Sequence, residues 1–219
     1  MPDRKARSQK PHRSKPQFQS QAARTADQRR VDSQEIKERF LIVCEGKKTE
    51  PNYFRGFRVP GRVLEIKGLG QNTLSLVDEA VRLRQEQNAQ AYDQSWCVFD
   101  RDSFPAEDFN NAIRKAEAAG FRVAYTNEAF ELWYLLHFDD HRNALSRKQY
   151  EPILAQRLGH AYQKNSEAMY RELETGQEQA IRRAERLLVG YGEAHNPQQD
   201  NPCTTVHLLI QELRKSAVP

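Results

Sequence analysis

The chain has 219 residues, 38% hydrophobic and 29% charged, with a formal net charge of +4. That length suits one sizeable domain. No apolar run approaches the ~20 residues of a membrane span, and the N-terminus lacks the apolar core of a signal peptide. Three scattered cysteines, Cys44, Cys97 and Cys203, form no CxxC pair. This argues against zinc and a disulfide framework, and for buried thiols in a reducing cytoplasm.

The charge is unevenly spread. Residues 1–30 carry nine Lys or Arg against Asp3 and Asp27 and hold almost no large apolar side chains. Residues 1–37 are therefore expected to form a disordered basic arm. Such an arm serves either salt-sensitive contact with a phosphate backbone or solubility alone.

Beyond the arm, the run Phe40-Leu41-Ile42-Val43-Cys44 predicts a first strand over 39–44, buried on both faces. It ends abruptly in Glu45-Gly46-Lys47-Lys48-Thr49-Glu50. Gly46 permits a sharp exit, and Thr49 is expected to cap a helix reaching about Phe57, with Glu50 and Pro51 in its first turn. Val63–Lys67 reads as a second strand, followed by the loop 68–72 and a helix from Thr73 to about Gln90. Leu74, Val77, Val81 and Leu83 should line its buried side. Trp96–Phe99 is the third strand, running straight into Asp100-Arg101-Asp102. A helix over Ala106–Ala119 should stop at Gly120, and Phe121–Tyr125 is a fourth strand. Asn127 is expected to cap a helix reaching about His137, with Glu128 as its helix-start acid.

That alternation of strand and helix calls for an α/β fold, a parallel sheet flanked by helices over 38–140. Past residue 140 no strand signal remains. Helices over 146–158, 165–190 and 203–215 are expected to form a C-terminal helical extension, residues 141–219 of the same domain.

Parallel strands all point one way, so Glu45, Asp100, Asp102, Glu128 and Glu131 should gather at one sheet edge. Asp100 and Asp102, two apart in an extended segment, can face the same side. Hard oxygen donors so arranged suit Mg²⁺ or Mn²⁺. Without a cation they would repel one another. Glu131 is singled out because it sits among Phe130, Leu132 and Trp133. His137 and His141 lie four apart but lack a third ligand, and no P-loop sequence occurs.

The segment Glu45-Gly46-Lys47-Lys48-Thr49-Glu50-Pro51-Asn52-Tyr53-Phe54 resembles the opening motif of the RloB family. Asp100-Arg101-Asp102, the run Asn127–Phe138 and the run Asn201–His207 are similar to its later motifs, in the right order over about residues 38–215. The family is associated with bacterial phage-defence loci, often beside an AAA or ABC-type ATPase. Its core is similar to the Toprim fold of topoisomerases, primases and overcoming-lysogenization-defect nucleases. The resemblance implies a Toprim-like sheet in which Glu45, Asp100 and Asp102 bind Mg²⁺ or Mn²⁺ for phosphodiester chemistry. Glu50 resembles the second acid of the nuclease branch, where the spacing is one residue shorter; capping its own helix is the alternative.

The expected function is thus a metal-dependent nuclease acting on RNA, tRNA included, or on DNA, as the effector of an anti-phage system. Glu45, Lys47 and Glu131 are the candidate catalytic residues, and Glu45, Asp100, Asp102 and Glu50 the candidate metal ligands. Expected partners are nucleic acid and a separate ATPase, with no membrane and with room for an oligomer. Two alternatives compete: a non-catalytic Toprim-like shell that binds nucleic acid or a nucleotide and regulates an ATPase, and a primase-type nucleotidyl transferase.

Overall fold

Four parallel strands and one antiparallel stub make the central sheet of the computed structural model, which describes residues 38–70, 73–86, 92–101 and 106–215. The basic arm and Asp102 lie outside the described residues, as does the expected end of the second helix. The strands are β1 (Glu38–Cys44), β2 (Arg62–Gly68), β3 (Gln94–Asp100), β4 (Arg122–Asn127) and β5 (Cys203–Thr204). The helices are α1 (Thr49–Arg55), α2 (Thr73–Glu86), α3 (Ala106–Ala118), α4 (Glu131–Leu135), α5 (Arg147–Leu158), α6 (Met169–Leu173), α7 (Gln177–Tyr191) and α8 (Val206–Arg214). Spatial order in the sheet is β2-β1-β3-β4-β5.

Apolar runs make these strands because both sheet faces are covered. Side chains alternate across a strand, so Phe40, Ile42 and Cys44 join one core with Trp96, Val98 and Ala124. Leu41 and Val43 join the opposite core with Cys97, Phe99, Val123 and Tyr125. Helices α2 and α3 cover the second core through Leu76, Val77, Ala80, Phe109 and Ala112. The first core is covered by α1 and by α4 to α8, in which Tyr53, Trp133, Tyr150 and Leu209 are fully buried. All three cysteines are buried free thiols, as expected, although only Cys44 and Cys97 lie in apolar runs.

The expected parallel sheet flanked by helices is found, with four local corrections. Thr49 is not the cap of α1: Lys48 holds that position without a side-chain bond, and the Thr49 hydroxyl donates to Asn165 Oδ1 at 2.9 Å. Asn127 ends β4 instead of capping a helix, and its amide donates to the Pro197 carbonyl at 2.9 Å. Glu128 therefore precedes α4 in a bend, and the acid in that helix's first turn is Glu131. The C-terminal part is also not wholly helical, because Cys203 and Thr204 pair antiparallel with Asn127 and Thr126. Finally, the expected 165–190 helix is divided into α6, a short 3₁₀ turn and α7.

Chain direction and strand order locate the functional edge. From β1 the chain moves outward to β2, whereas from β3 it moves the opposite way to β4. The tips of β1 and β3, which pair in parallel, therefore flank the crevice where connections part to opposite sides. Open α/β sheets bind ligands there.

Candidate active site

Glu45 stands at the tip of β1, its backbone fixed from both sides. Its N–H donates to the Val98 carbonyl at 2.9 Å, and its own carbonyl accepts from Gly70 N–H at 2.6 Å. The side chain crosses to β3, where Oε2 accepts the Asp100 N–H at 3.1 Å. Asp100 is the last residue of β3 and is 7% exposed. Its Oδ2 accepts the Phe130 N–H at 3.0 Å, so a carboxylate from β3 serves the start of α4 in place of a local cap. Arg147 Nη2 lies 3.6 Å from the same oxygen.

Glu50 and Glu131 complete the acidic group, each 5% exposed. Glu50 folds beneath the turn after β1, so closely that a Cβ on Gly46 would collide with its carboxylate. Glu131 accepts a hydrogen bond from the Tyr162 hydroxyl at 3.0 Å. Together Glu45, Glu50, Asp100 and Glu131 line a cleft of about 390 Å³ whose rim carries Lys47, Lys48, Arg147 and Lys164.

Burial and mutual repulsion act on these acids. Burial foremost pushes the Glu50 carboxyl up to about 6, and the nearby Glu131 raises it further against the pull of Lys164 and Arg147. Asp100 is driven well above the usual carboxylate range, again by burial first, then by Glu50, Glu131 and Glu45. Two of the buried oxygens, Glu50 Oε2 and Asp100 Oδ1, have no hydrogen-bond partner among the described residues.

Residues far along the chain shape the cleft. Asn165 takes φ +73°, a left-handed conformation that Asn tolerates better than most residues. Its side chain receives Thr49 and its carbonyl receives Asn52 Nδ2 at 2.8 Å. These bonds moor the 159–168 loop to α1 and place Lys164 and Asn165 in the cleft wall. Arg147 arrives on the first turn of α5, where the Ser146 N–H donates to Gln149 Oε1 at 2.8 Å.

Of the sequence candidates, Glu45, Lys47, Glu50, Asp100 and Glu131 share this cleft. Asp102 lies outside the described residues. Glu128 is not among the lining residues. Arg147 and Asn165 were not singled out by sequence, because only tertiary contacts, to Asp100 across 47 positions and to Thr49 across 116, bring them to the cleft. The His137 ring is buried, with Nδ1 2.8 Å from the Trp133 carbonyl; burial lowers its pKa to about 4. His207 is likewise buried, among the apolar residues of α8.

Residues 40–213 match the family described as RloB-like protein. The chain belongs to the RloB-like family. No curated protein and no solved structure matches it. The RloB match covers every described acid and cation of the cleft, and takes in the C-terminal segments that contribute Arg147, on α5, and Lys164, on the 159–168 loop. No described helix is long and apolar enough to cross a membrane.

Proposed function

We propose that this RloB-like chain is a metal-dependent phosphodiesterase that cleaves nucleic acid, RNA (including tRNA) or DNA. The supporting observation is the meeting of Glu45 and Asp100 at the switch point of the sheet, joined by Glu50 and Glu131 in a cation-rimmed cleft. The likeness of Glu45 and the Asp100-Arg101-Asp102 run to Toprim motifs points the same way. A role as effector of anti-phage defence, with a separate AAA or ABC-type ATPase, rests on the family resemblance alone.

The donor set fits Mg²⁺ or Mn²⁺. Packed carboxylates and two buried bare oxygens are what a hard divalent cation would satisfy. Among the described residues no three His, Cys, Asp or Glu form a ready metal-binding group; Asp102, the remaining expected ligand, lies outside them. Glu45, Asp100 and Glu50, with Asp102, are the residues that would hold the cation. Bound there, it would polarise the phosphodiester and acidify a water.

The chain's own residues supply the rest. The Tyr162 hydroxyl occupies Glu131 Oε1, which leaves Oε2 to accept a proton from attacking water. Lys47, beside the β1 tip, stabilises charge gathering on the phosphorus-bound oxygens. Gly46→Ala should thrust a methyl group into the Glu50 carboxylate and lower turnover about 100-fold. An unchanged circular dichroism spectrum would show that the fold survives.

The decisive experiment is a cleavage assay with Mg²⁺ or Mn²⁺ on labelled tRNA, single-stranded RNA, and single- and double-stranded DNA, with EDTA controls. Cleavage of one class, abolished by Glu45→Ala and by Asp100→Ala, is the expected result. Binding without cleavage, unchanged by either substitution, would instead favour the non-catalytic regulator.

A further inference from the structure

A second cavity, of about 540 Å³, adjoins the cleft along α1. The junction is Asn52, which lines this cavity and bonds to Asn165 in the wall of the cleft. Arg55, Arg58 and Arg171 line the cavity, and Arg55 and Arg58 continue into a third cavity of about 570 Å³ beside the edge strand β2. With Lys47, Lys48 and Lys164 they make a row of six exposed cations running from the acids along α1.

This row gathers cations without carboxylate partners in one place. Many exposed cations elsewhere are tied to carboxylates, among them Arg82 to Glu79, Lys115 to Asp78, Arg157 to Asp139, Arg186 to Asp140 and Arg214 to Glu178, whereas Arg114, Arg142 and Lys148 are not. Among the described residues none of the six makes an ion pair. Glu167 and Glu174 are the acids of the second cavity, and Glu174 is engaged by the Tyr170 hydroxyl at 3.4 Å. Tyr170 itself is partly exposed, and its ring packs 4.5 Å from that of Phe57.

We infer that this groove carries a single-stranded polynucleotide, whose backbone follows Lys164, Arg55, Arg171 and Arg58 and whose bases stack on Tyr170. The inference rests on the phosphodiesterase reading for the position of the scissile phosphate, and adds the path of the strand. A row of unpaired cations matches a phosphate backbone, and a partly exposed aromatic ring serves any base. The buried acids favour a single strand. A duplex, stiff over about 150 base pairs, must be bent or opened at a free-energy cost to bring one phosphate to the floor of so small a cleft, a cost a single strand avoids.

The test is fluorescence anisotropy with labelled 15-nucleotide RNA and DNA, single-stranded and duplex, using the full chain in EDTA over a series of salt concentrations. Arg55→Ala/Arg58→Ala/Arg171→Ala is compared with Arg82→Ala/Arg114→Ala/Lys115→Ala, which removes the same charge from α2 and α3 across the sheet. The groove variant should bind single strands at least about tenfold more weakly. Its plot of log K against log salt should flatten by about 2, from roughly 0.7 per lost phosphate contact. The control variant should match the natural chain. Tyr170→Ala should weaken binding about tenfold without changing the salt slope. Equal losses in both triple variants, no binding by the natural chain, or duplex bound as tightly as single strand would overturn the inference. The phosphodiesterase reading fails separately, if the groove binds as expected and Mg²⁺ or Mn²⁺ brings no cleavage.

Discussion

Asp100→Asn should melt at a higher temperature than the natural chain and cleave nothing. Asn keeps an oxygen for the Phe130 N–H but removes a charge that burial and three neighbouring acids oppose. Glu50→Gln should act in the same direction. Its rise from 4.5 to about 6 corresponds to a ceiling of about 2 kcal/mol. For a unit of this size that is about 4–8 °C in Tm. Because the folded-state values are raised, the neutral forms favour folding. For Glu50 that contribution is complete below about pH 4.5 and is lost as pH rises through about 6. The gap between variant and natural chain should therefore open across that window and stay open at pH 8. Mg²⁺ at 100 times its Kd should stabilise the natural chain by about 2.7 kcal/mol and Asp100→Asn hardly at all, with EDTA reversing the gain. Differential scanning calorimetry at pH 4.5, 6 and 8, with and without metal, reads all of this. A variant that melts lower at pH 8 would refute the strained-carboxylate account, and an equal metal shift in both proteins would remove Asp100 from the ligand set.

Phe130→Ala should cost about 3–5 kcal/mol and weaken the site with it. The Phe130 ring is 1% exposed and meets Tyr53, Phe54 and Tyr134 with centroids 5.3–5.8 Å apart. Its backbone N–H is the group held by Asp100. Loss of the ring thus loosens the start of α4, where Glu131 stands. Urea denaturation should show the midpoint falling, and Phe130→Leu should recover more than half of the loss. A midpoint unchanged in Phe130→Ala would mean that α4 is positioned by something other than this aromatic cluster.

The strand tips were legible in the sequence because a run buried on both faces is apolar at every position, so its end is abrupt. Glu45 and Asp100 stand where Cys44 and Phe99 stop being followed by apolar residues. Glu131 was legible as an acid among aromatics. What escaped had no local pattern. Two residues, Cys203 and Thr204, are too few to show an alternation, and their pairing is set by β4. Asn127 has the chemistry of a cap, yet its amide is claimed by Pro197, 70 positions away. Thr49 is likewise claimed by Asn165, 116 positions away. In each case a tertiary hydrogen bond overrode a sound local preference.

Strand β5 and helix α8 bear on how the chain is made. All the described acids of the cleft have been synthesised by residue 131, but the sheet is not closed until Thr204, and α8 fills its core through Leu213. On a ribosome adding about 5–20 residues per second, those 82 residues (131 to 213) take roughly 4–16 s. Until that interval ends the nascent chain holds its acids beside an incompletely covered aromatic face. A message cut short before residue 203 would yield a product with a raw β4 edge, suited to degradation and not to catalysis. Synthesis through β5 and α8 is thus a built-in checkpoint on the activity proposed for the cleft.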